Sequence, residues 1–207
     1  MEVPTKLECF RMMRDMEMMD HIVAHSLMVH RVSLLLSDGL SENGIRLSRS
    51  LVAAASLLHD ITKTRGFSTG ENHAMTGDAY LRKRNFPEVG SIVGEHVHLR
   101  IDSSDSNPTE AEIVNYADKR VLHDQVVTLD KRMAYILERY GKSGEMELKL
   151  KLLWEKSVAL EKKLFAYMPF APDCLDRHID LTKYHSDLKD YAIFKKNGNS
   201  KTQIINT

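Results

Sequence analysis

The run LVAAASLLHD, Leu51 to Asp60, ends an aliphatic stretch on two adjacent metal-ligand residues, His59 and Asp60, followed by Ile-Thr-Lys. Burying an imidazole and a carboxylate side by side among aliphatic groups is costly unless something satisfies them. The pair therefore points to a metal site at the end of a buried helix.

Four more residues of the same chemistry lie on segments with a readable helical period. In DHIVAHSLMVHRVSLLL, Ile22, His25, Val29, Val32 and Leu36 recur at three- and four-residue steps, which turns His25 inward. Val52, Ala55 and His59 form a similar stripe, with Asp60 able to reach the same centre if the helix ends there. Val89, Ile92 and His96 repeat it after Pro87, which suits a first helical turn. Val114, Asp118 and Val121 repeat it behind a Thr109-x-x-Glu112 capping box. His73 follows Asn72, a good N-cap, and Gly77 one turn on allows close helix packing. The pattern predicts an all-α bundle whose helices aim imidazoles and carboxylates at one interior.

Each residue alone has an ordinary reading. A single histidine on an apolar face is most often a hydrogen-bonded core residue, and a single buried aspartate often caps a helix or pairs with arginine. Four imidazoles and two carboxylates in one small core have no such structural need. A nitrogen and oxygen donor set without thiolates suits Mn, Fe, Co, Ni or Zn.

The ordered segments AHSLMV, LLHDITK, NHAMTGDAYL, GEHV and NYADKR resemble the HD-domain metal-dependent phosphohydrolases, in particular the HDIG-type branch, over roughly residues 18–121. The dipeptide HD alone is a weak signal, but the H, HD, H, H, D series is specific. The resemblance implies an HD-domain helical bundle in which His25, His59, Asp60 and Asp118 hold one metal. His73 and His96 match the two additional histidines that some members use for a second metal, with Asp60 bridging. It implies two divalent metal ions as cofactors and a small phosphorylated substrate, a nucleotide or similar ester. Two departures stand out: Thr62 replaces the usual glycine after HDI, and no GYP signature of the cyclic-di-GMP phosphodiesterases is present. His98 competes with His96 as a ligand, but two residues on it is turned about 200° round a helix.

Such a centre activates water as hydroxide for in-line attack on phosphorus, so no Ser or Cys nucleophile is required. Lys63, directly after the dyad, matches a lysine that lies beside the bound phosphate in related proteins, and it is a candidate catalytic residue together with Asp60. Arg65 and Arg100 are further candidates for substrate phosphate, since arginine makes bidentate contacts. The ordinary reading of all three cations is a solvated partner of a helix end. His98 and Lys63 are the candidates for a general acid. Two other readings use the same ligands: an HD-type di-iron oxygenase, and a non-catalytic metal-stabilised binding or regulatory module.

Lys plus Arg and Asp plus Glu are equal at 29 each, so no global positive field recruits nucleic acid. With 43% hydrophobic residues and no long apolar run, one principal domain is expected and no membrane span. Cys9 and Cys174 are the two cysteines, with no disulfide framework and no secretory leader, which suits a cytoplasmic protein. The expected organisation is an HD domain over 1–125, C-terminal helices packed on it over 126–190, and a frayed polar tail over 191–207. The methionines of residues 5–19 read as flexible packing. Ser37 to Asn43, Thr64 to Glu71 and Arg100 to Pro108 read as turns or loops. Thr128 to Tyr140 and Ser143 to Met168 read as helices, the second with Leu148, Leu152, Glu155 and Val158 near one face and Leu160, Leu164 and Phe165 continuing the apolar pattern. His178 and His185, seven apart, read as surface or packing residues on one helical face.

Overall fold

The computed structural model describes residues 2–99, 107–141 and 143–202, with side chains described as far as residue 197. These residues form an all-α bundle with additional C-terminal helices and almost no sheet.

Helix α2, Asp20–Glu42, is the axis of the bundle, because apolar side chains surround much of it and demand burial on several sides. Helix α3, Arg49–Leu58, helix α7, Glu110–Lys119, and helix α10, Leu181–Thr202, pack against α2. Helix α1, Lys6–Asp15, lies on α3 and α10, and Met12, Met13 and Met18 enter the core as packing residues. Helices α5, His73–Arg82, and α6, Pro87–Glu95, form a tight pair that joins α3 through α6. Their closeness depends on two glycines. A Cβ at Gly77 would lie 2.9 Å from Val93 Cγ1, and one at Gly90 would lie 3.0 Å from the Asp78 carbonyl oxygen. A two-residue hairpin, β1 Val121–Leu122 with β2 Gln125–Val126, links α7 to α8, Leu129–Tyr140, and α9, Gly144–Phe165.

Several local expectations change. Ser37 to Asn43 is not a turn, because α2 continues to Glu42 before Gly44 turns the chain at φ +82°. Gly39 lies within the helix so that Met168 can approach, and an added Cβ would meet its sulfur at 2.8 Å. Most of Thr64 to Glu71 is likewise helical, α4 Lys63–Thr69, ended by Gly70 in the left-handed conformation.

In α9, Leu148 and Leu152 are exposed, while Leu150, Ser157, Leu160 and Leu164 are buried. The stretch LKLKLLW offers apolar residues on several faces, so its period could not choose the inward one. His178 and His185 do not share a helix: His178 ends a 3-10 turn, Pro172–His178, stacked on Phe170 at 3.9 Å between centroids, and His185 is on α10. Helix α10 runs to Thr202 through most of the stretch expected to be a frayed tail, and it buries Tyr191 edge-on against Phe10. The expected loop at Arg100 to Pro108 lies outside the described residues except at Asn107 and Pro108. No described helix is long and apolar enough to cross a membrane.

Candidate metal centre

Two of the four histidines stand at helix C-termini, where carbonyls of the last turn have no amide partner. His59, the C-cap of α3, donates from Nδ1 to the Ser56 carbonyl at 2.8 Å. His96, the C-cap of α6, donates to the Val93 carbonyl at 2.6 Å. His25 projects from α2, and its Nδ1 donates to the His123 carbonyl in the β1–β2 hairpin at 2.8 Å. These acceptors require a proton on Nδ1, which leaves the Nε2 lone pair free to face the interior. His73 opens α5 behind the Asn72 cap, and its carbonyl accepts from the Thr62 hydroxyl at 2.8 Å. Thr62 has φ −106°, so the backbone after the dyad has no need of glycine, and the hydroxyl ties His73 to the turn that carries Asp60.

The donor atoms form two groups, His25 with His59 and Asp118, and Asp60 with His73 and His96, each mutually within 4.8 Å. Asp60 faces both. Its Oδ2 is 3.4 Å from His59 Nε2 and 3.9 Å from His25 Nε2, while its Oδ1 is 3.3 Å from His73 Nε2 and 3.6 Å from His96 Nε2. His25 Nε2 lies 3.0 Å from Asp118 Oδ1, and the His73 and His96 Nε2 atoms are 3.1 Å apart. Donors around a cation with bonds of about 2.0–2.2 Å are separated by such distances.

A divalent metal fits these residues on a further ground. His59 Nε2 and Asp60 Oδ1 are buried with no hydrogen-bond partner, although buried polar atoms ordinarily have one. Both orphaned atoms point into the cluster, so a bound cation would satisfy them together.

Electrostatics keeps the carboxylates ready as ligands. Burial alone raises the pKa of Asp60, but the neighbouring His59 and Lys63 outweigh it and hold the carboxyl well below its usual range. Asp118 behaves likewise: burial opposes ionisation, while His25 and His59 hold it well below the ordinary value. Lys63 Nζ is 2.7 Å from Asp60 Oδ2. Burial depresses its pKa, yet Asp60 and Asp118 more than compensate and keep it above the usual lysine value.

The structure thus brings His25, His59, Asp60, His73, His96 and Asp118 together, with Lys63 on Asp60. Arg65 is elsewhere, exposed and paired with Glu71 at 3.0 Å. Arg100 lies outside the described residues. His98 is exposed and absent from both donor groups. It lines a cavity of about 340 Å³ beside the centre, walled by Val97, Leu99, Asn115, Leu152 and Leu160, to which no cluster residue contributes. The supporting groups carry no sequence signature: the His123 carbonyl, the Thr62 hydroxyl, and Asn115 and Lys119, which hold the His96 carbonyl at 3.0 and 3.4 Å. No local pattern marks a backbone carbonyl that arrives from a hairpin 98 residues away.

A family model described as HD domain matches residues 22–121, a span that contains all six cluster residues. A dihydroneopterin 2',3'-cyclic phosphate phosphodiesterase of Methanocaldococcus jannaschii is 33% identical over 112 residues, covering 47% of this chain and 45% of that protein. A tRNA (cytidine(56)-2'-O)-methyltransferase of Picrophilus torridus is 26% identical over 165 residues, covering 74% of this chain and 46% of that protein. An uncharacterised protein of M. jannaschii is 26% identical over 137 residues, 60% of this chain and 80% of its own length. The chain spans less than half the length of the first two relatives. No solved structure matches.

Proposed function

We propose that the chain is a metal-dependent phosphohydrolase acting on a small phosphate ester, with His25, His59, Asp60 and Asp118 on one divalent cation and His73, His96 and the shared Asp60 on a second. The observation that carries this reading is the placement of Asp60, one carboxylate oxygen toward each donor group. Bound there, divalent ions supply activation of water and neutralisation of phosphoryl charge. The protein's share is orientation. Three imidazoles are locked by carbonyls with Nε2 inward, and Lys63, protonated and partly exposed, offers N–H donors to a phosphoryl oxygen beside Asp60. The two donor groups consist of histidine and aspartate, in keeping with water as the nucleophile.

The phosphodiesterase relative makes a 2',3'-cyclic phosphodiester of a nucleoside or pterin the first substrate class to test, ahead of nucleoside monophosphates. Elemental analysis of protein purified without chelator is expected to find two metals per chain, falling toward one in His73→Ala. The metal-loaded protein should release or open phosphate esters in a screen of cyclic diesters and monoesters. Oxygen consumption by the iron-loaded protein, with no cleavage of any ester, would overturn the proposal.

A further inference from the structure

Helix α9 carries Lys149, Lys156 and Lys163 at seven-residue intervals, with Leu152, Leu153 and Leu160 between them, so one face of the helix alternates cations with apolar groups. Between that face and α7 lies the cavity of about 340 Å³, which Val97 and Leu99, just past α6, and Glu112 and Asn115 of α7 also line. Its volume is that of a small-molecule site, since such pockets span about 300–1,000 Å³.

The polar side chains in these walls are already satisfied by the protein. Asn115 donates to the Glu95 and His96 carbonyls at 2.9 and 3.0 Å and accepts from Lys119 at 2.6 Å. Ser157 donates to the Leu153 carbonyl at 2.8 Å, and the two Glu112 oxygens accept from Lys163 at 2.7 and 2.9 Å. Among the described residues, no buried polar atom that lacks a partner belongs to this lining. A polyhydroxyl body would therefore bury its own hydroxyls against hydrocarbon at a cost. An apolar body would not, and it would cover Leu152, a leucine left 52% exposed on the cavity wall.

Charge selects the other end of the ligand. The described lining holds three lysines and one carboxylate, and that carboxylate is matched by Lys163. Lys149 and Lys156 are exposed, and the pair that Lys149 makes with Glu145 is open to water, where such pairs are worth little. An acidic group at the mouth of the cavity would meet a positive surplus while its apolar body lay inside.

The geometry points to a binding site for an organic anion with an apolar body, an aromatic or aliphatic acid, in the cavity between α7 and α9. No residue of the donor cluster lines it, so the site stands whether or not the phosphohydrolase reading does.

The test is fluorescence titration of the metal-loaded full chain with anilinonaphthalene sulfonate and with neutral phenylnaphthylamine, which keeps the rings and lacks the sulfonate. Wild type is expected to bind the sulfonate saturably, and about tenfold more tightly than the amine, as one modest charge contact provides. Ala159 lines the cavity from the exposed side of α9, so Ala159→Trp fills the space without crowding the core. That variant should keep its melting temperature and metal content and bind both probes at least about tenfold more weakly. Lys149→Glu combined with Lys156→Glu should bring the sulfonate down to the affinity of the amine and leave the amine unchanged. Absence of saturable binding by wild type, sulfonate binding that Ala159→Trp leaves intact, or equal affinity of wild type for the two probes overturns the inference.

Discussion

Asp60 faces both donor groups, and its substitution separates folding from chemistry. Asp60→Ala removes a buried charge whose surroundings include three imidazoles within 3.6 Å of its oxygens, so the apo protein should remain folded. Its hydrolytic rate on a responsive ester should fall at least about a hundredfold, since the shared ligand is gone; activity within tenfold of wild type would rule out a bridging role. A second residue-scale expectation concerns His30, fully enclosed between α2 and α3, where Nδ1 donates to the Ala53 carbonyl at 3.1 Å. Burial first, then the Arg31 charge, pushes its pKa down to about 3. The unfolded chain takes up this proton near pH 6.5 and the native state does not, so native stability is lost as pH falls from about 6.5 toward 3, by on the order of 4 kcal/mol at the lower end. Urea unfolding of chelated protein at several pH values, compared with His30→Asn, should show a shallower pH slope in the variant. Equal slopes would mean that His30 already carries its proton in the fold.

At the scale of elements, the second donor group is only as good as the packing of α5 on α6, because His73 starts one helix and His96 ends the other. Gly90 lets the backbones meet: an added Cβ would sit 2.7 Å from Asp78 Oδ1 and 3.0 Å from its carbonyl oxygen. A backbone atom cannot swing aside as a side-chain end can, so Gly90→Ala is expected to destabilise the fold by about 1–3 kcal/mol. It should also part the 3.1 Å Nε2 pair and weaken the second metal more than the first. Stepwise metal titration would register this as selective loss of one site, and equal weakening of both would refute the link between helix spacing and the second group. Thr62 acts similarly through its hydroxyl, which bonds the His73 carbonyl and Thr76 Oγ1, both at 2.8 Å, and so joins the dyad turn to α5.

Over the whole molecule, two buried ionic knots fasten the C-terminal helices to the bundle. Asp187 on α10 accepts from Lys6 on α1 and Arg31 on α2, and Arg120 at the end of α7 donates to Tyr116, Glu161 on α9 and the Pro172 carbonyl. Asp187→Ala would leave Arg31 partly buried without its carboxylate, at a cost of about 3 kcal/mol in urea unfolding; a change below about 0.5 kcal/mol would show that α10 is held by its apolar contacts alone. The helical stripes that place His25, His96 and Asp118, the caps at Asn72 and Thr109, and the adjacency of His59 and Asp60 are local patterns, and local patterns survive in one dimension. They determined the all-α class and singled out the six residues that the fold brings together. The continuation of α2 past Ser37, the burial of Leu150 in place of Leu148 and Leu152 on α9, and the helical course of residues 191–202 were not legible, because each depends on what packs there: Met168 against Gly39, the bundle on one side of α9, Phe10 against Tyr191. Spacing along the chain identifies which residues share a helix face, but it carries no information about which groups of other helices arrive opposite that face. Only the tertiary structure therefore decided how Asp60 divides its two oxygens, which carbonyls lock the imidazoles, and that Arg65 pairs with Glu71.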